Sequence, residues 1–264
     1  MVRNPIILTQ LLASLRGQIE ILEQRGDASC LVHAITDDSR AVMGGSLFVA
    51  VKGERVDGHG FVQQAIKAGA VAVVAQAPMA SGPLPFVLVG DSRKALGLLG
   101  SRFHGDPSTC LKMIGVTGTN GKTTTTYLCK ALLEGIGRRV GLIGTVGYQI
   151  GEEILPASHT TPVALDLQEL LAKMVEGGLT AAVMEVSSHA LALDRTSGCE
   201  YDVAVFTNLT QDHLDFHHTM DEYFKAKLRL FAGLAGGQKA GKRALVNLDD
   251  PRGDAIRAAC PVPV

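Results

Sequence analysis

The chain has 264 residues, a formal charge of −1 and 46% hydrophobic residues, enough to bury the core of one large domain or two small ones. There is no basic surplus and no block of like charge, which disfavours nucleic acid as a partner; an anionic small molecule needs only a local cationic pocket. Charged or polar residues interrupt every apolar run short of membrane-spanning length, and the apolar stretch Pro5–Leu8 is cut off by Thr9 and Gln10. No membrane segment and no signal peptide are therefore expected, and a cytoplasmic location follows. The cysteines, Cys30, Cys110, Cys129, Cys199 and Cys260, form no CxxC pair and no His/Cys cluster, the usage of small buried thiols in a reducing compartment.

Apolar residues at Leu11, Leu12, Leu15, Ile19, Ile21 and Leu22 predict a helix over 9–23. Gly44–Gly53 reads as a strand entered and left through glycine turns. Helix is expected over Phe61–Ala68, strands over Ala70–Ala75 and Pro85–Val89, and a helix over Asp91–Phe103 with Asp91 or Ser92 as its N-cap. Alternating strands and helices indicate a small α/β domain. The loops around Asp38-Ser39-Arg40 and Gly53–Gly58 have ordinary turn composition; the other reading is a polar lip for a ligand, with arginine clamping a diphosphate or carboxylate. Gly105–Ser108 has linker composition, so domains are expected at 1–107 and 108–264.

Met113–Thr117 reads as a short buried strand, Gly118–Gly121 as a tight loop, and Lys122 onward as a helix. Together they make a phosphate cradle. Glycines let backbone N–H groups converge, the helix N-terminus is partially positive, and Lys122 adds a full charge. Thr123 or Thr124 places a hydroxyl where a phosphate-bound Mg2+ would sit. The usual phosphate-loop pattern has glycine five positions before Gly121, where this chain has Val116.

Arg139–Val146 reads as the next strand, completing a βαβ unit and hence a parallel sheet. A polar stretch, Gly147–Ser158, leads to Thr160-Thr161-Pro162. Either threonine could cap the following helix, or both hydroxyls could face an anionic substrate. Thr180–His189 is a strand ending in polar residues, and such ends line the crevice of a parallel sheet. Glu185 stands inside that apolar strand, either as a Mg2+-associated acid or as half of a buried ion pair. Tyr201–Leu209 is a further strand. Three histidines and three acids follow between Asp212 and Asp221, with no standard zinc spacing, and then a helix carries Lys225 and Lys227. Ala244–Pro251 reads as one more strand and an acidic turn.

The motifs in order resemble the Mur ligase family. They are Asp38-Ser39-Arg40 with Gly44–Phe61, the loop Gly-Thr-Asn-Gly-Lys-Thr-Thr at 118–124, Thr-Thr-Pro at 160–162, Glu-Val-Ser-Ser-His at 185–189, and Asn208–His217 with Lys227. The resemblance is strongest to the MurE branch. The MurF branch shares the domain order, and folylpolyglutamate synthetases share the loop but normally lack so long a domain ahead of it. The resemblance implies an α/β fold: a small UDP-sugar-binding domain, then an incomplete P-loop-type ATPase domain with a mainly parallel sheet. It implies ATP and Mg2+ as cofactors, with Gly118, Thr119, Asn120, Gly121, Lys122, Thr123 and Thr124 binding the nucleotide. Catalytic roles fall on Lys122, Glu185, His213 and Lys227, and metal contacts on Thr123, Glu185, His213 and Lys227. Lys227 would be carbamylated by CO2, which needs a depressed lysine pKa; the alternative is a solvated helix lysine, a description that suits Lys225 better. Ser39, Glu54, Arg55, Val56, Thr160, Thr161, Ser187 and Arg195 would contact UDP-MurNAc-L-Ala-D-Glu, although Leu193 stands where the family often has glutamine. The second substrate would be a diamino acid, most often meso-diaminopimelate and sometimes L-lysine, joined through an acyl phosphate. A monomer is expected. Members carry a third, C-terminal domain, and this sequence ends within the central one, so the isolated chain is expected to bind nucleotide weakly and catalyse nothing. A non-catalytic UDP-sugar-binding module is the alternative from another class.

Overall fold

The computed structural model describes residues 4–53 and 56–264. The chain forms two compact units, Met1–Gly105 and Asp106–Val264.

The first unit runs β1 (Ile6–Ile7), α1 (Leu8–Ala13), β2 (Ile21–Arg25), β3 (Leu31–Val32), β4 (Ala34–Thr36), β5 (Ser46–Ala50), α2 (Val62–Lys67), β6 (Ala70–Ala75), β7 (Phe86–Val89) and α3 (Ser92–Phe103). A five-stranded sheet has the order β2-β7-β6-β5-β4, parallel except for β2. Its inner strands are buried on both faces, which is why they read as unbroken apolar runs. Phe48, Val73 and Phe86 sit at the centre of this core. The side chain of Asp91 accepts the Lys94 N–H at 2.9 Å, so Asp91 is the cap of α3.

The helix predicted over 9–23 is corrected. It stops at Ala13, Gly17 turns the chain at φ +74°, and Ile21–Arg25 pairs antiparallel with β7. The apolar spacing suited a helix, but an open sheet edge with free N–H and C=O groups was the stronger demand.

The second unit runs α4 (Pro107–Cys110), β8 (Lys112–Thr117), α5 (Lys122–Gly135), β9 (Val140–Gly144), β10 (Gly147–Ile150), β11 (Glu153–Leu155), α6 (Ala164–Glu176), β12 (Ala181–Glu185), α7 (Ser188–Ala192), β13 (Val203–Phe206), α8 (Leu214–His217), α9 (Met220–Ala232), β14 (Arg243–Val246) and α10 (Gly253–Ala259). Its seven-stranded sheet has the order β11-β10-β9-β12-β8-β13-β14. The five strands from β9 to β14 in that order are parallel, and β10 and β11 form an antiparallel hairpin at one edge. The core on one side gathers Met113, Leu171, Met184 and Phe231.

Three local expectations change here. The strand expected to Val146 ends at Gly144, and the polar stretch after it is the β10–β11 hairpin, turned at Gly151 with φ +62°. β8 and β9 are parallel, but β12 lies between them. Neither Thr160 nor Thr161 caps α6; the N-cap is Val163, with no side-chain cap bond. The registers bring Val116, Ile143, Glu185 and Phe206 close to one level, so the C-terminal ends of β8, β9, β12 and β13 open onto one crevice. Among the described residues, no helix is long and apolar enough to cross a membrane.

Candidate active site

The loop between β8 and α5 is shaped by two glycines. Gly118 has φ +151°, and a Cβ there would overlap Thr207 Oγ1 and come within 3.1 Å of the Asn208 backbone. Gly121, at φ +82°, is the N-cap of α5 and offers no side chain to its free N–H groups. The Thr125 N–H bonds to Gly121 O at 2.9 Å, so the N–H groups of Lys122, Thr123 and Thr124 precede that turn and remain available for an anion. Two of the loop's own N–H groups are already used: Thr119 donates to Asn208 O at 2.8 Å and Asn120 to Asn208 Oδ1 at 2.9 Å. Asn208 Nδ2 and Thr207 Oγ1 in turn donate to Asn120 O. The segment after β13 therefore braces the loop.

Lys122 folds back over the loop, donating to Gly118 O at 3.0 Å and Thr119 O at 2.8 Å. Burial lowers its pKa, and Glu185 and Asp212 oppose that. A phosphate on the α5 N-terminus would offer this ammonium a full negative charge in place of two carbonyls.

Glu185 closes β12 and is only 1% exposed. Thr123 Oγ1 donates to Oε1 at 2.9 Å, the Thr145 N–H to the same oxygen at 2.9 Å, and Thr145 Oγ1 to Oε2 at 3.2 Å. The carboxylate is thus held by neutral donors in place of the expected alternative, a cation. Gly144 is required beside it, because a Cβ there would meet Oε1. A carboxylate and a hydroxyl next to a phosphate cradle are hard oxygen donors, the set that suits Mg2+. Among the described residues, no group of three or more His, Cys, Asp or Glu side chains is placed to hold a metal alone. A metal here needs donors of other kinds, such as Thr123 and phosphate.

The two lysines of α9 differ sharply. Lys225 is exposed and pairs with Glu222 at 2.8 Å. Lys227 is 1% exposed, donates to Gly118 O at 2.8 Å, and lies 4.3 Å over the Tyr223 ring. Burial and the neighbouring Lys122 ammonium lower its pKa to about 7. A substantial neutral fraction, the form able to capture CO2, therefore exists near neutrality. His213, in left-handed conformation at φ +53°, stands edge-on to Tyr223 with its ring 6.0 Å away and lies 3.4 Å from Asp212. His213 and Lys227 thus meet at one tyrosine.

The threonine, serine and arginine positions named from the sequence also converge. Thr161 Oγ1 donates to Glu185 O at 2.8 Å and accepts the Ser187 N–H at 3.0 Å. Arg195 Nη1 donates to Thr161 O at 3.2 Å. Thr160 Oγ1 lies 3.1 Å from Thr145 Oγ1, itself bonded to Glu185. Ser187 also caps α7, accepting from the Ala190 N–H. In the first unit, Ser39 is buried just past β4 and Val56 is exposed, while Glu54 and Arg55 lie outside the described residues. Arg40 is engaged with Asp38 at 2.7 Å, which holds that carboxyl at about 2 through the arginine hydrogen bonds.

Sequence reasoning passed over Thr145, Thr207 and Tyr223, and gave His217, the last residue of the Asn208–His217 motif, no role. His217 is 5% exposed and leaves Nε2 without a hydrogen-bond partner. Burial, with His189 and Lys227 adding to it, pushes its pKa down to about 4. Thr145, Thr207 and Tyr223 lie in no contiguous motif, and each bonds to a residue far away in sequence.

A glycine loop at a helix N-terminus, with a lysine across it and an anchored carboxylate on the adjacent strand, is an arrangement that α/β proteins use to hold phosphate groups. The chain belongs to the Mur ligase family: the Mur ligase middle domain matches residues 116–262, and the Mur ligase family catalytic domain matches residues 31–104. A UDP-N-acetylmuramoyl-L-alanyl-D-glutamate–2,6-diaminopimelate ligase of Geobacillus thermodenitrificans is 53% identical over 220 residues, covering 83% of this chain and 45% of that protein. A solved structure of a ligase of that name superposes with a TM-score of 0.79 at 31% identity, covering 97% of this chain and 50% of the other. MurF ligase from Thermotoga maritima in complex with ADP gives a TM-score of 0.52 at 25% identity, covering 85% of this chain and 47% of the other. The chain spans about half the length of the curated relatives it matches.

Proposed function

We propose that this protein serves ATP-dependent formation of an amide bond between the D-glutamate of UDP-MurNAc-L-Ala-D-Glu and a diamino acid, meso-diaminopimelate first, in peptidoglycan synthesis. The first unit is the UDP-sugar domain, with Ser39, Glu54, Arg55 and Val56 as its contacts, and the second is the ATP domain. The observation that carries the reading is the convergence on Glu185: phosphate-loop Thr123 and Thr145 bond its carboxylate, and the Thr161–Ser187–Arg195 cluster is tied to its backbone carbonyl through Thr161. The names of the relatives support the choice of substrates.

ATP would supply the phosphoryl group and Mg2+ the charge to neutralise it. The chain's own groups supply position and field. The N–H groups opening α5 and the Lys122 ammonium hold phosphate oxygens. Thr123 and Glu185 present oxygen donors to the metal. Lys227 in its neutral form would take up CO2 and release a proton to solvent, replacing a buried cation by a carbamate anion, and His213, against the same Tyr223 ring, would be a further metal contact. Thr160, Thr161, Ser187 and Arg195 hold the acceptor substrate, so that its carboxylate takes the phosphoryl group and the amine displaces phosphate from the resulting acyl phosphate. The protein acts as a cytoplasmic monomer.

The test is calorimetric titration with ADP and Mg2+, and separately with UDP-MurNAc-L-Ala-D-Glu. Both bind, Lys122→Met abolishes ADP binding alone, and the dipeptide ligand outcompetes the tripeptide ligand. Failure to bind the UDP-sugar refutes the substrate assignment. UDP-sugar binding without ADP binding favours a non-catalytic module.

A further inference from the structure

Tyr223, on α9, is fully buried, and counting protons at Thr119 shows which way its hydroxyl bonds. Thr119 Oγ1 has three polar neighbours: the Thr210 N–H at 3.0 Å, Thr210 O at 3.2 Å and Tyr223 Oη at 3.1 Å. A threonine hydroxyl has one proton and two lone pairs. One lone pair accepts the Thr210 N–H. A carbonyl oxygen only accepts, so the single proton goes to Thr210 O. The remaining lone pair also only accepts, and the Tyr223 hydroxyl is therefore the donor. Thr119 is then saturated, and its backbone N–H is taken by Asn208 O.

This hydroxyl belongs to the phosphate loop but is spent entirely inside the protein. Thr119 is buried, and its side chain is turned toward α9. The next carbonyl back, Gly118 O, is also held from α9, by Lys227 Nζ, which lies against the same tyrosine ring. Tyr223 thus reaches two consecutive loop residues by two routes, one through its hydroxyl and one through its ring face.

We propose that Tyr223 is a positioning residue that keeps the phosphate loop in its nucleotide-accepting shape by donating to Thr119 from behind. It touches no ligand. Its hydroxyl stops Thr119 from rotating outward, and so keeps the Lys122–Thr124 N–H groups aimed at one point. The proposal rests on the nucleotide-binding reading above, and the experiment separates the two.

ADP with Mg2+ is titrated into the wild type, Tyr223→Phe, Thr119→Val and the double variant. Tyr223→Phe keeps the ring against Lys227 and removes only the donor. It is expected to weaken ADP about fivefold, the size of one hydrogen bond. Thr119→Val cuts the same link from the other side, so the double variant should bind no more weakly than Thr119→Val. A merely structural tyrosine would lower the melting temperature and leave this cycle additive. Wild-type affinity in Tyr223→Phe, or additive losses, overturns the proposal. A wild type that binds no ADP overturns the nucleotide reading instead. The link is then judged by amide hydrogen exchange at residues 118–121 of the unliganded protein: about fivefold acceleration in Tyr223→Phe supports it, and unchanged exchange overturns it.

Discussion

Replacing Lys227 by methionine should stabilise the protein. The side chain stays unbranched and loses one heavy atom at its end, and the buried ammonium disappears. The fall of the lysine pKa from 10.5 to about 7 corresponds to roughly 4–5 kcal/mol against the folded state. Losing the bond to Gly118 O and the contact with the Tyr223 ring returns about 1–2 kcal/mol of that. Gly118 O is not orphaned, because Lys122 Nζ still donates to it at 3.0 Å. A net gain of about 3 kcal/mol remains, or roughly 6–12 °C in melting temperature for a unit of this size. The sign depends on pH in a definite way. The folded pKa is depressed, so the penalty on the wild type is complete below pH 7 and fades as pH rises toward 10.5. Urea unfolding of both proteins, in bicarbonate-free buffer at pH 7 and pH 10, measures it. A variant less stable than the wild type at pH 7 would refute the reasoning, as would a gain of equal size at pH 10. The same variant should show no 13C carbamate signal under 13CO2, which ties the instability to the proposed function.

Two further outcomes follow from the same site. Gly118→Ala should cost roughly 2–4 kcal/mol and remove ADP binding, because its Cβ meets Thr207 Oγ1 at a positive φ; a folded variant with wild-type affinity would show that the loop can shift aside. His217 has a folded pKa of about 4 against an ordinary 6.5, so its contribution is whole above pH 6.5 and is lost as pH falls toward 4, by about 3 kcal/mol. His217→Phe should therefore flatten the fall in urea midpoint between pH 7 and pH 4.5, and a parallel fall in both proteins would count against it.

Much of the fold and part of the site could be read directly from residue order. The strand, loop and helix at 112–135 follow from rules that act within a few residues: glycine where φ is positive, no side-chain cap where an anion binds, and apolar runs for strands buried on both faces. Glu185 stood out because a carboxylate in an apolar strand needs an explanation, and Lys227 because a family motif includes it. The helix over 9–23 misled because its spacing was apolar enough for either structure, and only the free edge of β7 chose the strand. Thr161 read as a possible cap, and its real partners are a carbonyl and an N–H on β12 and its exit, 24 and 26 residues away. Tyr223 reaches Thr119 across 104 residues. Bonds of that range depend on strand order, on β12 lying between β9 and β8, and on β13 lying beside β8. Local sterics dictate the cradle because they act within one turn of chain; what stands around it is decided by which buried faces and strand edges find each other, and no short stretch of sequence carries that choice.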